Sequence, residues 1–353
     1  MAAKSPRKGI GRVQDMLKRL WLVSLLCIAL AAIGWWYAEN SGSGSVASPS
    51  VSPGEPGKAS QAASRTFGII YPMAHPFYEM ITRNANDAAA AQGVRLIVKA
   101  PDEANLEQQI RMMETMIAQK VDGIAIDPVD PVAIIPAINK AAQAGIPVIC
   151  FESDSPGSNR LAFIGADNRK AGEKMGKLLD ELLDGQGMVI VESGMSRMTS
   201  LSDRLDGLLD YFHLHTAIDV LEVRYNEGNE ATALSSLESM IDAHPHFDAF
   251  VALDVMSGSA SILVWKASGL DRFALTFGMM PDIQSAIENG QISAVVSQNE
   301  QDWGERIVKR LLDASEGRTV VPFDDTGITE IISDTLSMGA SGSSMQNQSE
   351  SEK

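Results

Sequence analysis

Short apolar segments alternate with amphipathic segments of helical spacing over most of the chain from about residue 65 onward. The first apolar segment is FGIIY at residues 67–71, and apolar residues at helical spacing predict a helix between residues 105 and 119. Strands that alternate with helices of this length predict parallel sheets with right-handed crossovers. The alternation restarts near residue 169, so we expect an α/β body of two lobes, each a parallel sheet flanked by helices. Ligands of such sheets bind beyond the carboxyl ends of the strands, which here would face the cleft between the lobes.

Each predicted lobe is built from two segments of the chain. The N-terminal lobe takes residues 65–166 and 299–325, and the C-terminal lobe takes residues 167–298 and 326–336. Residues 337–353 are poor in apolar side chains and are predicted to be a disordered tail.

An uncharged apolar stretch of 19 residues, 20–38, precedes the body and is long enough to cross a membrane. Residues 1–19 are basic, which predicts that they stay in the cytoplasm, and aromatic residues at positions 35–37 suit the far membrane interface. Residues 39–64 are rich in Ser, Gly, Pro and Ala and are predicted to be a flexible linker. The N-terminal region therefore predicts a single-pass anchor with the body outside the cytoplasm.

Two other interpretations of the same apolar stretch remain open. Ala29-Leu30-Ala31 resembles a cleavage site, so the segment could be a signal peptide whose removal leaves a secreted or periplasmic protein. Cys27 could end a lipoprotein signal, although two leucines precede it where small residues are expected.

The charge of the chain and its motifs narrow the classes of function. Residues 1–38 hold six basic residues and one aspartate, a net charge of +5, and the remainder holds 23 basic and 44 acidic residues, a net charge of −21. A body this acidic repels nucleic acid, so no nucleic-acid partner is expected. The sequence contains no phosphate-binding glycine motif after the first strand, no nucleophile elbow and no Cys/His cluster with metal-ligand spacing. We therefore expect no catalytic activity, no cofactor and no metal.

Four motifs then appear in an order that resembles one family. They are FGIIYPMAHPFY at residues 67–78, DGIAIDP at 122–128, AGIPVI at 144–149 and IGADNRKAG at 164–172. Together they resemble the type I periplasmic sugar-binding proteins of the ribose-binding kind, over about residues 65–335. LacI-type repressors share these lobes, but here a predicted membrane segment stands where they carry a DNA-binding headpiece.

The resemblance implies a sugar between the lobes, with aromatic rings against its apolar faces and polar side chains on its hydroxyls. Carried over to this sequence, the implied ligand-binding residues are His75, Phe77, Tyr78, Glu152, Asp254 and Gln298. Structural roles are open for the same residues: Phe77 and Tyr78 could belong to the core, His75 to a turn, and Asp254 to a helix cap.

The sequence departs from the family pattern at four positions. Ser153 and Ser202 stand where the ribose-binding kind has arginine, Gly278 where it has aspartate, and Gly228 where it has an aromatic residue. The ligand therefore cannot be assumed to be ribose. Four other side chains are candidates to fill the space that the missing arginine and aspartate side chains leave: Met195, Arg197, Met279 and Trp303.

The resemblance implies a receptor that closes around a sugar or polyol by hinge motion and presents it to an ABC importer or to a sensor histidine kinase in the membrane. Two alternatives are a protein-interaction module that has lost its ligand and a hydrolase or isomerase that uses Glu152 and Asp254 for acid–base chemistry.

Overall fold

The computed structural model describes residues 65–333 of the chain. Within that range, no helix combines the length and the apolar character needed to cross a membrane. The predicted anchor at 20–38, the basic segment before it, the linker at 39–64 and the tail at 337–353 lie outside the described residues.

Two six-stranded sheets organise the described residues. The first sheet has the order β11-β5-β4-β3-β1-β2, and all its strands are parallel. Its strands are β1 (Thr66–Ile70), β2 (Arg95–Lys99), β3 (Gly123–Ile126), β4 (Val148–Phe151), β5 (Ala162–Gly165) and β11 (Phe323–Asp325). The central strands β3, β4 and β5 are buried along their whole length, as the continuous apolar sequence of a parallel strand covered on both faces requires.

The second sheet has the order β12-β10-β9-β8-β6-β7. Its strands are β6 (Gln186–Ser193), β7 (Ala217–Tyr225), β8 (Ala249–Ala252), β9 (Phe273–Phe277), β10 (Ala294–Ser297) and β12 (Thr329–Ile332). All its pairs are parallel except that of β10 with β12, which is antiparallel. The chain leaves β11 at its carboxyl end and reaches β12 within three residues, so it enters the second sheet from the edge where the parallel strands end.

Nine helices of the described residues flank these sheets. They are α1 (Pro76–Ala91), α2 (Leu106–Ala118), α3 (Ile135–Gln143), α4 (Asn168–Leu183), α5 (Thr199–His215), α6 (Glu230–Ala243), α7 (Val255–Ser268), α8 (Pro281–Glu288) and α9 (Trp303–Ser315). Side-chain caps begin several of them: Asn105, Asp167, Asn229 and Asp254 each accept a hydrogen bond from a backbone N–H of the first turn. The predicted α/β fold of two lobes with flanking helices is confirmed. The sequence pattern had not identified α9, β11 or β12 as elements.

Candidate functional site

A cavity lies where the carboxyl ends of strands from both sheets meet. Its walls come from the segments that follow β1, β4, β6, β7, β8, β9 and β10, together with α5. The cavity volume is about 50 Å³, the space of a few water molecules, so the walls from the two lobes lie close together.

Five of the six predicted ligand-binding residues line this cavity: Phe77, Tyr78, Glu152, Asp254 and Gln298. The sixth, His75, does not line it and instead caps α1, where its Nδ1 accepts a hydrogen bond of 3.2 Å from the backbone N–H of Phe77. Its Nε2 lies 3.5 Å from a carboxylate oxygen of Glu230, and burial lowers the pKa of the imidazole.

Glu152 lines the cavity directly after β4. Its backbone is left-handed, with φ of 59°, and its side chain connects the two lobes. Gln298 Nε2 donates to Glu152 Oε2 at 2.6 Å, and Arg204 Nη2 on α5 lies 3.5 Å from Glu152 Oε1. Burial raises the pKa of the Glu152 carboxyl, while the positive charge of Arg204 acts in the opposite direction.

Arg204 is a functional candidate that sequence reasoning did not include in the site. Its guanidinium stacks on Phe277, with 3.3 Å between Cζ and the ring centroid, and donates to Asn168 Oδ1 at 2.6 Å. Its side chain is 1% exposed, and burial lowers its pKa. The sequence signal for this role was its position: Arg204 falls three residues after Leu201 and four before Leu208, on the apolar face of α5.

Tyr78 presents its ring to the cavity, but its hydroxyl forms a hydrogen bond inside the first lobe, the one built on the first sheet. The hydroxyl donates to Asp127 Oδ2 at 3.0 Å, and the ring stacks on Tyr71 with 4.8 Å between centroids. Asp127 also accepts a hydrogen bond from the backbone N–H of Ser153. Burial raises the pKa of Asp127, and the nearby charge of Glu152 raises it further. These contacts fix the ring in place against the cavity.

Asp254 caps α7, the structural role that the sequence left open. Its carboxylate accepts hydrogen bonds from the backbone N–H groups of Met256 and Ser257, from Ser257 Oγ at 2.5 Å and from Asn226 Nδ2 at 3.2 Å. Burial raises its pKa, and the hydrogen bonds from Ser257 and Asn226 lower it. The carboxylate also faces the cavity, so the cap and the cavity share one side chain.

Gln298 contributes an acceptor with no partner. The residue is 2% exposed. Its Nε2 donates a hydrogen bond to Glu152, whereas its Oε1 has no hydrogen-bond partner among the described residues. The backbone N–H of Gln298 donates to Glu300 Oε2 at 3.0 Å, which holds the segment after β10 in position. A ligand that donates a hydrogen bond would satisfy the free oxygen.

At two of the departure positions, serines make contacts within the protein. Ser153 Oγ lies 2.7 Å from Ser200 Oγ of the opposite lobe, so the pair closes one edge of the cleft. Ser202 is exposed, and its hydroxyl donates to the backbone oxygen of Thr199.

At the two glycine departures, neighbouring apolar side chains take the space. A Cβ at Gly278 would lie 2.6 Å from Val255 Cγ1, and a Cβ at Gly228 would lie 3.3 Å from the sulfur of Met73. Both glycines have positive φ, which side chains rarely adopt.

The four candidates for the vacated space have different positions. Met195 lines the cavity, as proposed from the sequence. Trp303 is fully buried against Phe77, behind the cavity wall, and Met279 is not part of the wall. Arg197 forms an ion pair with Asp130 at 2.9 Å, across the mouth of the cleft from the first lobe.

Comparison with known proteins agrees with this architecture. The sequence profile described as "Periplasmic binding protein domain" matches residues 68–319. The D-allose-binding periplasmic protein of Escherichia coli K12 is 24% identical over 275 residues, which cover 74% of this chain and 88% of that protein. The ribose import binding protein of Bacillus subtilis 168 is 23% identical over 271 residues, covering 75% of this chain and 87% of that protein.

Solved structures share the fold. An ABC transporter solute-binding protein of Burkholderia graminis, in complex with D-arabinose, aligns with a TM-score of 0.73 and 28% identity, covering 77% of this chain and 96% of that one. A chain of the XylFII–LytSN complex aligns with a TM-score of 0.72 and 22% identity, covering 76% and 98%. The match over residues 68–319 spans most of the chain, and the chain belongs to the periplasmic binding protein family.

Proposed function

We propose that this protein is an extracytoplasmic receptor that captures a monosaccharide or polyol between its lobes, and that it is not an enzyme. The observation that carries the proposal is the convergence of Phe77, Tyr78, Glu152, Asp254 and Gln298 on one cavity. The sugars for which its relatives are named, and the D-arabinose bound in the Burkholderia graminis protein, support the same class of ligand.

The proposed binding mode divides the cavity by chemistry. The rings of Phe77 and Tyr78 cover an apolar C–H face of the ligand. Glu152, Asp254 and Gln298 accept hydrogen bonds from its hydroxyls, each of which needs a partner once it is buried. His75 acts one step away, because its cap on α1 positions Phe77.

The receptor would serve a partner in the membrane. The ribose import protein of Bacillus subtilis and the ABC transporter protein of Burkholderia graminis support an importer as that partner. The XylFII–LytSN assembly supports a second kind of membrane partner, such as a sensor kinase. In either case residues 20–38 would hold the body outside the cytoplasm near that partner.

The hydrogen bonds of the two cavity carboxylates favour binding over acid–base catalysis. Asp254 is committed to the cap of α7, and Glu152 is held by Gln298 and Arg204. Each carboxylate can still accept a further hydrogen bond from a ligand hydroxyl, whereas no serine, cysteine, histidine or lysine among the described residues lines the cavity to serve as a nucleophile or partner acid–base group.

A thermal-shift screen of the full-length chain in mild detergent tests the proposal, with pentoses, hexoses, deoxy sugars and inositols as the compounds. A ligand at about 100 times its Kd adds roughly 2.7 kcal/mol to the free energy of unfolding, so Tm should rise by several degrees. Gln298→Ala and Asp254→Asn should each reduce the shift, because each removes or weakens a hydroxyl partner.

Gln284→Ala, on the exposed face of α8, is the matched control and should leave the shift unchanged. The absence of any shift across the panel would contradict the receptor and favour the interaction module. Release of a chemically altered compound would contradict the exclusion of catalysis.

A further inference from the structure

Most of the cavity wall is apolar. Methionines and other apolar side chains from both lobes form it, namely Met73, Met195, Met198, Leu201, Val255 and Met256. Met73 enters from the first lobe, and the others come from the second. Methionine is flexible and polarisable, so such a wall adapts closely to an apolar surface but offers no strong partner to a hydroxyl.

Two glycines of the cavity lining leave space that neighbouring apolar side chains occupy. Val255 Cγ1 lies 2.6 Å from the place that a Cβ of Gly278 would take, so a polar side chain cannot enter there without moving Val255. Met73 packs in the same way over Gly228, with its sulfur 3.3 Å from the corresponding point. A ligand hydroxyl that points toward Gly228 therefore meets the sulfur and methyl group of Met73, and one that points toward Gly278 meets Val255 first, with Glu300 Oε1 further away at 3.8 Å from the Cβ position.

The polar side chains that line the cavity are few, and the main ones are Glu152, Arg204, Asp254 and Gln298. Gln298 is 2% exposed, and its amide oxygen has no hydrogen-bond partner among the described residues. Glu152 and Asp254 face the same space, but each already accepts hydrogen bonds from the protein. The negative charge of Glu152 is also balanced by Arg204. Among the described residues that line the cavity, the unpartnered oxygen is thus the neutral amide oxygen of Gln298, and the Nε of Arg204 is an unpartnered donor. Both suit a hydroxyl better than a cation.

We propose that the cavity selects a neutral monosaccharide with hydroxyls on one edge only, that is, a deoxy or methyl-substituted sugar. This inference rests on the proposed function as a sugar receptor and names the class of sugar. The hydroxyl-bearing edge faces Gln298, Glu152 and Asp254, and the deoxygenated face or methyl group packs against the methionines and Val255. A hydroxyl forced against that wall loses its hydrogen bonds to water and gains none.

Isothermal titration calorimetry on the full-length chain, with matched pairs of sugars, tests this selection. The pairs are 2-deoxy-D-ribose with D-ribose, D-fucose with D-galactose, and L-rhamnose with L-mannose, and the two members of each pair differ by one hydroxyl. In any pair that binds, the deoxygenated sugar should bind about ten- to a hundredfold more tightly, the discrimination that an apolar pocket achieves against one added hydroxyl.

Val255→Thr is the decisive variant because it changes one methyl group of the wall into a hydroxyl at nearly constant volume. It should narrow the preference for the deoxygenated sugar by about tenfold or reverse it. Val223→Thr, a partly buried valine of β7 that does not line the cavity, is the matched control and should keep the wild-type preference.

The outcomes separate the class of sugar from the receptor function. Tighter binding of the fully hydroxylated member in every pair would overturn this inference and leave the sugar receptor standing. A failure of every sugar, deoxygenated or not, would overturn the proposed function itself. Tighter binding of tetramethylammonium than of any sugar would overturn the inference in favour of a cation. An unchanged preference in Val255→Thr would show that the wall does not set the selection.

Discussion

Glu192, near the end of β6, is an acidic residue that is fully buried. Burial raises the pKa of its carboxyl to about 8, and the negative charge of Asp254 contributes in the same direction. The folded protein therefore keeps a proton on Glu192 at pH values where the unfolded chain has lost it. Because the folded state binds more protons, the free energy of unfolding falls as pH rises from the usual glutamate pKa to about 8 and then levels off.

Glu192→Gln should remove this part of the pH dependence, because glutamine resembles the protonated acid in shape and has no proton to lose. The Tm of the variant relative to the wild type should increase between pH 5 and pH 9. One pKa unit corresponds to about 1.4 kcal/mol, so the increase should be at least about 3 °C. Thermal denaturation followed by circular dichroism at both pH values measures it.

The comparison relies on the change with pH and not on the absolute stability of the variant. Glu238→Gln, on the exposed face of α6, loses a carboxylate in water and should show a constant difference from the wild type. If the Glu192→Gln difference were equally constant, the carboxyl of Glu192 would titrate alike in the folded and unfolded states.

Residues at strand ends could be predicted from the sequence, and residues on helices were harder. Glu152 and Gln298 directly follow buried strands and Asp254 comes two residues after one, so the positions that the family resemblance implied for them agree with the rule that strand ends meet at the cleft. Arg204 lies in mid-helix, and its role depends on the distance to Glu152 in the other lobe, which no local pattern encodes. His75 precedes the helix start, where a cap and a ligand contact have the same sequence signature.

At the scale of elements, α4 and α5 pack through two glycines. A Cβ at Gly172 would overlap the backbone oxygen of Arg204, and a Cβ at Gly207 would overlap the backbone oxygen of Arg169. The two helix backbones are therefore in direct contact, a separation that only glycine permits. The same contact sets the depth of Arg204 and hence its reach to Glu152 and Phe277.

Gly207→Ala should destabilise the protein although alanine is the better helix former. Overpacking at a tight contact costs about 1–3 kcal/mol, which would lower Tm by about 3 °C or more. Gly258→Ala on α7 is the matched control, because its Cβ would press only on the flexible far end of Ile283, at 3.1 Å, and would meet Thr276 at an ordinary contact distance of 3.5 Å. There the gain in helix propensity of about 1 kcal/mol should prevail. Equal Tm changes in the two variants would contradict the proposed backbone contact.

Strands and helices with a clear apolar period were predictable, and the last two strands were not. β11 has one buried residue out of three, and β12 is mostly exposed, so neither carries the apolar run of a central strand. The antiparallel direction of β12 follows from where the chain leaves the first lobe. That is a property of the assembled sheets and is absent from the four residues of the strand itself.

At the scale of the whole molecule, hydrogen bonds join the loop after β4 in the first lobe to the start of α5 in the second. Ser153 Oγ lies 2.7 Å from Ser200 Oγ and accepts a hydrogen bond from the backbone N–H of Ser200. Thr199 Oγ1 donates to the backbone oxygen of Asp154 at 3.0 Å. The Ser153–Ser200 contact is buried, so opening the cleft exchanges it for water, and its strength biases the balance between closed and open lobes.

Ser153→Ala should shift that balance toward the open state. Removing one partner of a buried hydrogen bond costs about 1–3 kcal/mol, and 1.4 kcal/mol is a factor of ten, so the closed-to-open ratio should fall about tenfold. Distances between spin labels on the two lobes measure the ratio. Arg111→Cys on α2 and Glu238→Cys on α6 provide exposed sites, in a Cys27→Ser background, since the remaining Cys150 is buried.

Ser155→Ala separates this effect from a general loosening of the loop. Ser155 lies two residues further along and is also buried, but its hydroxyl donates to the backbone oxygen of Pro131 within the first lobe. Its removal should leave the label distances unchanged, whereas Ser153→Ala should raise the population at longer distance. A sugar that binds should restore the short distance in Ser153→Ala at a higher concentration than in the wild type, because part of its binding free energy is then spent on closure. Identical distances in all three proteins would mean that the contact between Ser153 and Ser200 forms after closure and does not help to drive it.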